Sequence, residues 1–517
     1  MSHHQHDNHA HEEHNHHGLL HLLHHEHPQE EKKPEEHHEA LLEHLYHLLK
    51  EVHLEVPRIL VPHEDSGRIV LFFLLFSLAL IVTGLFLAPI ETLFSGFGTL
   101  LLSPCKLLTD VCVIAGENVA FVNAGLVGIL ACCLYHFTGA KLTGLHIGTF
   151  FHAVGIAFYG KNILNYWPLI TGVYLYARVK KGPFKNHLPT ALFSGALSGC
   201  VSEIAFNDYL GLPLYVSIPI ASLVGLLMGF LIVPLAKHTL RMHKSYNLFN
   251  MGLAAGLEGV LFYTIYNTCV LSPLGLSGQV GLHGYLLETN SKPLLWFFLI
   301  YFVYTIFQGF WLNGKSFRGY LSLVNTHGYK EDYLAEFGLP LVMINYGVLG
   351  LLSMGYFLLV GGPVTGLTVG ALLCLLCWCG LGSTPKNLLP IMLGYALVSL
   401  FASWDLGTQT ICIGLCFATG LCPIAGRYGF LAGLAAGALH ACLVTSTAAF
   451  HGGFNLYNGG FTSGLVACVL VPFLEACFKA KENPANMLAF QKSTIPHPVP
   501  EAVQAKAGEG KPISQEG

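Results

Sequence analysis

The sequence has little charge. Only 11% of its 517 residues are Asp, Glu, Lys or Arg, whereas 53% are hydrophobic and the mean hydropathy is +0.55. Soluble domains carry about a quarter charged residues, so this composition excludes a soluble protein with a solvated surface. Apolar stretches of about 20 residues, the length that crosses roughly 30 Å of hydrocarbon, recur from Arg68 onward. They predict an all-α, polytopic transmembrane helical bundle.

Other absences narrow the class further. The apolar stretches do not alternate with polar residues, which excludes a membrane β-barrel. No phosphate-binding loop, nucleophile elbow, zinc-protease motif or dinucleotide fingerprint occurs in a convincing context, so we expect neither an enzyme nor a nucleic-acid-binding protein. The 15 cysteines lie mostly inside apolar segments, as in Cys374, Cys377 and Cys379, and predict buried packing residues in place of disulfides.

Fourteen apolar segments follow the N-terminal tail. They are residues 68–90, 118–138, 142–158, 163–177, 188–206, 211–236 and 248–268, and then 293–313, 338–360, 362–381, 387–403, 407–422, 428–450 and 459–478. The segments 163–177 and 387–403 are short and contain proline, so either could span the membrane or re-enter it.

This pattern divides the chain into five parts. They are a His-rich acidic cytoplasmic tail (1–67), a first transmembrane repeat (68–268), a linker loop (269–292), a second transmembrane repeat (293–478) and a disordered C-terminal tail (479–517).

The two membrane parts repeat each other. The motif His243-Lys-Ser-Tyr-Asn247-Leu-Phe-Asn250 returns 208 residues later as His451-Gly-Gly-Phe-Asn455-Leu-Tyr-Asn458. Further forward, the offset is 222 residues, where Asn123 matches Asn345. The change in offset places 14 extra residues in the first half, and we predict them around Val179–Leu214.

Seven segments per half is an odd number, so the halves should have opposite orientations. With the N-terminus inside, the predicted cytoplasmic loops hold thirteen Lys and Arg residues and the outer loops hold three, namely Lys106, Lys161 and Lys292. This distribution follows the positive-inside rule and predicts a plasma-membrane protein with both termini cytoplasmic. Inverted repeats commonly place a transport site at their interface near the middle of the membrane.

The duplicated motif supplies the first candidate site, comprising Asn247, Asn250, Asn455 and Asn458. Asn is costly inside a helix but useful where an interrupted backbone must hold a polar ligand. The alternative is that each Asn caps a helix after a tight loop, with nearby glycines for close packing.

A second candidate site is Lys161, Asn162 and Asn165 in the stretch Gly-Lys-Asn-x-x-Asn-x-x-Pro, with Asn387 at the matching place in the second half. Gly, Asn and Pro at this spacing suggest a re-entrant turn whose helix N-terminus faces a polar or anionic group. An ordinary interfacial loop is the alternative.

Two acids lie within apolar segments, Glu203 and Glu258, and neither has an acidic counterpart in the other half. A carboxylate in hydrocarbon costs several kcal/mol unless it is paired, protonated or hydrated. Coupling to protons or Na⁺ would use such groups, and a single structural hydrogen bond would also explain them. We expect the membrane histidines, including His152 and His440, to be hydrogen-bonded helix residues.

The N-terminal tail holds 18 of the 29 histidines and one predicted amphipathic helix. Neutral imidazole binds Zn²⁺ and Ni²⁺ well, so the tail predicts metal binding, although a solvated tail without a metal role is the alternative. The candidate ligands are His3, His4, His6, His14, His16, His17, His44 and His47. We expect no other cofactor.

Two of these stretches carry a resemblance to a known family. The segment Gly160-Lys-Asn-x-x-Asn-x-x-Pro168 and the repeated Asn-Leu-x-Asn resemble the bacterial multi-pass membrane proteins labelled domain of unknown function 1576 (DUF1576), over roughly residues 70–478. The resemblance implies a membrane location and names no substrate. The layout is also similar to that of urea transporters, although the phenylalanine slot of that family has no evident counterpart here.

The leading hypothesis is a secondary transporter or channel for a small polar solute or ion, with its site between the repeats. One alternative is a divalent-metal transporter whose His-rich tail delivers or senses Zn²⁺, Ni²⁺ or Co²⁺. Another is a membrane scaffold or sensor that transports nothing. The expected partners are the lipid bilayer and the solute, and the sequence leaves homo-oligomerisation open.

Overall fold

The structure, a computed structural model, describes residues 65–278, 280, 286–287 and 289–481. The predicted His ligands and amphipathic helix of the tail lie outside these residues, as does most of the C-terminal tail. The described part is all-α, as predicted, and consists of two successive sets of helices.

The first half comprises α1 (Asp65–Leu87), α2 (Ile90–Leu101), α3 (Val111–Ile114), α4 (Glu117–Thr138), α5 (Gly144–Ala157), α6 (Ile163–Val179), α7 (Leu188–Phe193), α8 (Ser198–Phe206), α9 (Leu214–Met242) and α10 (Asn250–Tyr266). The second comprises α11 (Lys292–Leu312), α12 (Tyr320–Val324), α13 (Tyr333–Leu359), α14 (Gly366–Leu376), α15 (Pro385–Ser399), α16 (Gln409–Ala418), α17 (Cys422–Tyr428), α18 (Phe430–Thr447) and α19 (Asn458–Cys477).

All fourteen predicted segments coincide with helical elements, and α2, α3 and α12 lie in stretches that were predicted as loops. The linker also begins later than predicted, because α10 continues as a π-helix and a 3-10 turn through Leu274.

Within the described residues, nine helical stretches are long and apolar enough to cross a membrane, which makes this a multi-pass integral membrane protein. They are Ser66–Leu87, Glu117–Thr138, Phe184–Phe206, Leu214–Met242, Lys292–Leu312, Tyr333–Leu359, Gln409–Tyr428, Phe430–His451 and Asn458–Cys477. The short helices α5, α6, α14 and α15 are absent from this set and form two pairs at matching places in the halves.

Helix ends follow local capping chemistry. The Asn162 side chain accepts hydrogen bonds from the first turn of α6, and Thr365 does the same for α14. At the other end, Gly139 adopts a left-handed conformation that terminates α4. These residues fix where the helices begin or end, at the positions where the chain changes direction.

The two halves repeat the same helix packing. In the first half, α6 packs against α9 through Gly172 and Gly229, where an added Cβ would lie 2.2 Å and 2.1 Å from a backbone carbonyl oxygen of the facing helix. In the second half, Gly394 and Gly437 bring α15 and α18 together in the same way, with 2.4 Å and 2.3 Å. Glycines at matching positions therefore allow the same close helix packing in both halves.

The 14 extra residues of the first half lie at the C-terminal end of the predicted interval, Val179–Leu214, and just after it. Residues 207–213 connect α8 to α9, whereas Gly429 alone connects α17 to α18. In addition, α9 has 29 residues and α18 has 18. The first half thus has a longer connection and a longer helix at this place than the second half.

The halves meet through equivalent helices. Between α5 and α14, an added Cβ on Gly148 would lie 2.7 Å from the Cys377 carbonyl oxygen, and one on Gly155 would lie 2.5 Å from that of Gly370. At the 222-residue offset, Gly148 is equivalent to Gly370 and Gly155 to Cys377. The two contacts therefore join equivalent pairs of residues with the halves exchanged, as in a two-fold interface. Gly144 contacts Gly380 at the other end, so α5 and α14 pack antiparallel.

The helices α10 and α19 form the second central pair. Gly252 and Gly460, which are equivalent residues, touch backbone to backbone where these helices cross. Gly259, further along α10, lies beside Asn455, which precedes α19. The pair is therefore also antiparallel, and the pseudo-two-fold axis passes between the two glycines.

Each half contains one interrupted helix in the interior. A 3-10 turn at Ser194–Leu197 separates α7 from α8, and one at Thr419–Leu421 separates α16 from α17. At each interruption, a residue of the other half's Asn motif forms a backbone hydrogen bond with the 3-10 turn. The Leu456 N–H donates to the Ala196 carbonyl at 2.8 Å, and the Leu248 N–H donates to the Gly420 carbonyl at 2.9 Å.

Candidate functional site

Each half holds its Asn motif, residues 243–250 or 451–458, in a hydrogen-bonded turn before a helix. His243 connects the parts of the first copy. Its Nδ1 accepts a hydrogen bond from the Asn247 N–H at 3.3 Å, which leaves Nε2 to donate to Asn250 Oδ1 at 3.0 Å. Asn250 Nδ2 then donates to the Ala236 carbonyl at 2.9 Å.

The second copy repeats this network with equivalent residues. His451 Nδ1 accepts from the Asn455 N–H at 3.4 Å, its Nε2 lies 3.1 Å from Asn458 Oδ1, and Asn458 Nδ2 donates to the Val444 carbonyl at 3.2 Å. The Oδ1 and Nδ2 atoms of Asn250 and Asn458 are thus both hydrogen-bonded within the fold. The two histidines, which our sequence analysis did not select as site residues, are recognisable by their shared offset of 208 residues.

Asn247 and Asn455 differ from this pattern. Their Oδ1 atoms accept hydrogen bonds from the N–H groups of Phe249 at 3.0 Å and Tyr457 at 2.9 Å, as capping side chains do. Their Nδ2 atoms, however, are buried and have no hydrogen-bond partner among the residues that the structure describes. An unpaired buried donor costs about 1–3 kcal/mol, so these two amide nitrogens are the polar atoms of the motif that the fold leaves unsatisfied.

A cavity of about 640 Å³ opens beside the first motif. Its outer part is lined by polar and charged residues of two connecting segments and of α9, and its inner part by apolar and aromatic residues. The lining includes Asn186, His187, Thr190, Lys237, Ser245, Asn247, Leu248, Lys330 and Glu331. We call the end of the bundle that carries Lys237 and Lys330 the basic face.

Four aromatic side chains, Phe193, Phe249, Trp378 and Tyr457, form what we call the aromatic floor of this cavity. The Phe249 ring lies 5.1 Å from those of both Trp378 and Tyr457 and meets them edge to face. Phe249 and Tyr457 are equivalent residues, so the floor lies on the pseudo-two-fold axis. Trp378 Nε1 and the Tyr457 hydroxyl are buried without hydrogen-bond partners.

Two polar residues lie behind the floor. The His152 ring is 4.6 Å from that of Phe193 and 4.5 Å from that of Tyr457, and neither of its nitrogens has a partner among the described residues. Lys161 is fully buried, and its Nζ also has no hydrogen-bond partner in the part of the chain that the structure describes. The expectation that His152 is a hydrogen-bonded helix residue was therefore wrong. Lys161 lies in the connection between α5 and α6, where a loop was predicted, but its side chain is buried.

The remaining residues of the second candidate site stabilise helix ends. Asn162 and Asn165 form a reciprocal capping box at the start of α6, and Asn165 Nδ2 also donates to the Gly160 carbonyl at 3.0 Å. Asn387 Nδ2 donates to the Thr326 carbonyl at 3.3 Å. None of these three residues lines the cavity.

Two further pairs of polar residues match at the 222-residue offset, Asn123 with Asn345 and Asp110 with Asp332, and form equivalent hydrogen bonds in the two halves. Asn123 Nδ2 donates to the carbonyls of Ala157 and Lys161, and Asn345 does the same at the equivalent carbonyls of the second half. Asp332 accepts from the Gly144 N–H at 3.1 Å, while Asp110 accepts from the Leu367 N–H at 3.4 Å.

The two aspartates thus cap the first turns of helices in opposite halves. Burial raises the pKa of both carboxyls. Asp110 and Asp332 were not predicted as paired residues, although comparing polar identities at the 222-residue offset would have found them.

The two candidate coupling acids have different surroundings. Glu203 Oε2 lies 3.4 Å from Lys106 Nζ, and its Oε1 accepts a hydrogen bond from the Tyr209 hydroxyl at 2.6 Å. Glu258 is buried on α10, and neither of its oxygens has a hydrogen-bond partner in the described part of the chain. Glu203 therefore forms a buried ion pair, whereas the coupling role of Glu258 stays a prediction.

The end of the bundle opposite the basic face is closed. We call it the closed face. Here the Leu107 N–H donates to the Gly453 carbonyl at 3.0 Å, and the Cys105 N–H donates to Ser202 Oγ at 3.1 Å. The residue equivalent to Gly453 is Ser245, which lines the cavity at the basic face. The same motif is thus covered in one half and accessible in the other.

No group of three or more His, Cys, Asp or Glu side chains that could hold a metal ion occurs among residues 65–278 and 289–481 or the few described between them. Cys374, Cys377 and Cys379 are buried free thiols, as predicted. The predicted metal ligands of the tail lie outside these residues.

The helices and the repeated networks define a multi-pass integral membrane protein with two homologous halves. The sequence model of the family described as Protein of unknown function (DUF1576) matches the chain twice, over residues 90–268 and 312–476. The chain therefore belongs to this family, as its resemblance implied. The two matches start 222 residues apart and end 208 apart, which are the two offsets of the repeat. No curated protein and no solved structure matches the chain, and the similarity to urea transporters stays a prediction.

Proposed function

We propose that this protein is a secondary transporter or channel for a small polar solute, built from two inverted seven-helix halves in the plasma membrane. The observation that carries the proposal is the cavity at the basic face, which ends on the pseudo-two-fold axis at the unpartnered amide of Asn247. Pockets that combine apolar walls with a few converging polar groups are typical of small-molecule sites.

The packing of equivalent helices supports the inverted arrangement. Because α5 and α14 are equivalent and pack antiparallel, as do α10 and α19, each crosses the bundle in the direction opposite to its counterpart. Loops rich in Lys and Arg belong on the cytoplasmic side, so the basic face is cytoplasmic and both termini lie on that side. The cavity then opens to the cytoplasm, and the closed face is the outer one.

The difference between the faces supports alternating access. In inverted-repeat transporters, the two orientations arise when one half exchanges its conformation with the other. Here the two motifs have equivalent hydrogen-bonded networks, but the first copy lines the cavity with Ser245, Asn247 and Leu248, whereas the second reaches it through the buried Tyr457 ring. In this proposal, the conformation with the cavity at the basic face is the state that is open to the cytoplasm.

A thermal-shift screen of the purified full-length protein against ions, amino acids, urea and organic acids tests this proposal. A solute that binds the folded state raises the melting temperature. Thr190→Trp, which fills the cavity, should abolish that increase, whereas Leu321→Trp, at an exposed position on α12, should leave it unchanged. A solute that stabilises the wild type and Thr190→Trp equally would show that the cavity is not the site.

A further inference from the structure

The chemistry of the cavity narrows the class of solute, provided that the protein transports one. Three residues on its inner wall carry buried atoms without hydrogen-bond partners: Asn247 Nδ2, Trp378 Nε1 and the Tyr457 hydroxyl. The first two can only donate hydrogen bonds, and the third can donate one. Leaving buried donors unpaired is unfavourable, so the wall is suited to a solute that accepts hydrogen bonds.

The charges at the cavity mouth favour a negative solute. Lys237 and Lys330 line the cavity together with one acid, Glu331. The Glu331 carboxylate accepts a hydrogen bond from the Gly328 N–H at 2.9 Å, so it is engaged by the backbone. A cleft lined by cations concentrates anions near its entrance.

A buried lysine lies further inside. Among the residues that the structure describes, Lys161 Nζ has no hydrogen-bond partner, and it lies 4.5 Å from the centre of the Tyr166 ring, which stabilises an ammonium only modestly. An added Cβ on Gly195, two residues after Phe193 of the aromatic floor, would lie 2.6 Å from Lys161 Cδ, and the His152 ring touches the same floor at Phe193. An unpaired ammonium in the interior costs several kcal/mol unless a counter-ion arrives.

The duplicated fold does not require this pair. The residues that correspond to His152 and Lys161 in the second half are Cys374 and Ser383, and both are buried in the same packing. The second half therefore builds the same element with two small side chains. A cation beside an imidazole in the first half alone points to a role in binding.

We propose that the solute is a small organic carboxylate, and that Lys161 with His152 forms the subsite that holds its charge after it passes the aromatic floor. Asn247, Trp378 and Tyr457 would bind the carboxylate on the cytoplasmic side of the floor. The aromatic rings would contact its apolar part. A carboxylate moving from Lys330 at the cavity mouth to Lys161 behind the floor would then meet hydrogen-bond donors and lysine side chains along its way.

Isosteric pairs of solutes test the proposal: lactate against lactamide, and benzoate against benzamide. We would measure thermal stabilisation of the full-length protein and uptake into proteoliposomes. The wild type should bind each carboxylate at least about tenfold more tightly than its amide, a difference of about 1.4 kcal/mol. Lys161→Met should remove most of that preference, Lys161→Arg should keep it, and Lys315→Met at the basic surface should not change it.

The outcomes separate this inference from the proposed function. Binding and uptake of the amides without any preference for carboxylates would overturn the inference and leave transport standing. A preference that survives in Lys161→Met would also overturn it. If Lys161→Met does not fold, the wild-type preference and its retention in Lys161→Arg decide the question. Failure of both solute classes to bind would count against both proposals.

Discussion

The two copies of the Asn motif have nearly the same internal hydrogen bonds but different surroundings. The copy at residues 243–250 lines a cavity of about 640 Å³ with several residues, among them Ser245 and Asn247, whereas the copy at 451–458 reaches that cavity through the buried Tyr457 ring and is covered at Gly453 by the segment that contains Leu107. The shared network shows that the motif itself is a rigid structural unit. The two copies differ in the segments that pack over them. A transporter whose site opens alternately to the two sides of the membrane requires such a difference between its halves.

The difference extends to ion pairs. At the closed face, Lys106 and Glu203 form a buried pair, with side-chain exposures of 8% and 1%. At the basic face, Lys244 pairs with Glu475 on the surface, where the exposures are 53% and 34%. Buried pairs are costly to break singly, while exposed pairs contribute little. The closed face is therefore the one held by a strong electrostatic contact.

Breaking the buried pair should have the largest effect. Lys106→Met leaves Glu203 without its cation and should lower the free energy of unfolding by about 3–5 kcal/mol. Adding Glu203→Gln keeps a partner for the Tyr209 hydroxyl and should recover most of the loss. Chemical denaturation of both variants measures this. Lys244→Met, the matched control at the basic face, should hardly change the transition, and an equally large effect there would contradict the contrast between the faces.

The two copies also differ in backbone strain, and we expect this difference to affect stability less than the ion pairs do. The turn at the start of each motif needs two residues with positive φ. The second copy uses Gly452 (φ 56°) and Gly453 (φ 82°), whereas the first uses Lys244 (φ 51°) and Ser245 (φ 68°). A left-handed conformation costs a non-glycine residue about 1–2 kcal/mol. The motif beside the cavity therefore stores strain that the covered motif avoids.

Exchanging these residues should have opposite effects on stability. Ser245→Gly should stabilise the protein by about 1 kcal/mol, and Gly453→Ser should destabilise it by a similar amount. Thermal unfolding of the two variants beside the wild type measures both. Shifts of the same sign would mean that strain in the turn does not distinguish the two copies.

Much of the fold was predictable from the sequence because membrane helices and internal repeats leave strong signals. Length and apolarity located the fourteen segments, and constant offsets located the matching residues such as Asn247 and Asn455. Short elements were missed because α3 and α12 have only four and five residues, and α2, although apolar, has 12, fewer than a membrane span needs. Lys161 was placed in an outer loop because a charged residue between two apolar segments usually lies there.

The site was less predictable, because its character depends on which polar atoms find partners. The four motif asparagines look alike in sequence, yet Asn250 and Asn458 bond within the fold and Asn247 and Asn455 keep unpaired donors. Similarly, Glu203 and Glu258 are both acids in apolar segments, and only three-dimensional contacts with Lys106 distinguish them. The aromatic floor assembles residues from both halves, and no local pattern marks it.

The most direct test of the account compares thiol labelling at two equivalent positions, Leu248→Cys and Leu456→Cys, in a background without the exposed native cysteines. Leu248 lines the cavity, and Leu456 is buried at the closed face. In proteoliposomes, a membrane-impermeant maleimide should label residue 248 from the cytoplasmic side only. Residue 456 should be labelled only from the outer side, and then faster during transport or after Lys106→Met. Equal labelling of both positions from one side, or protection of residue 456 under every condition, would contradict alternating access between the two motifs.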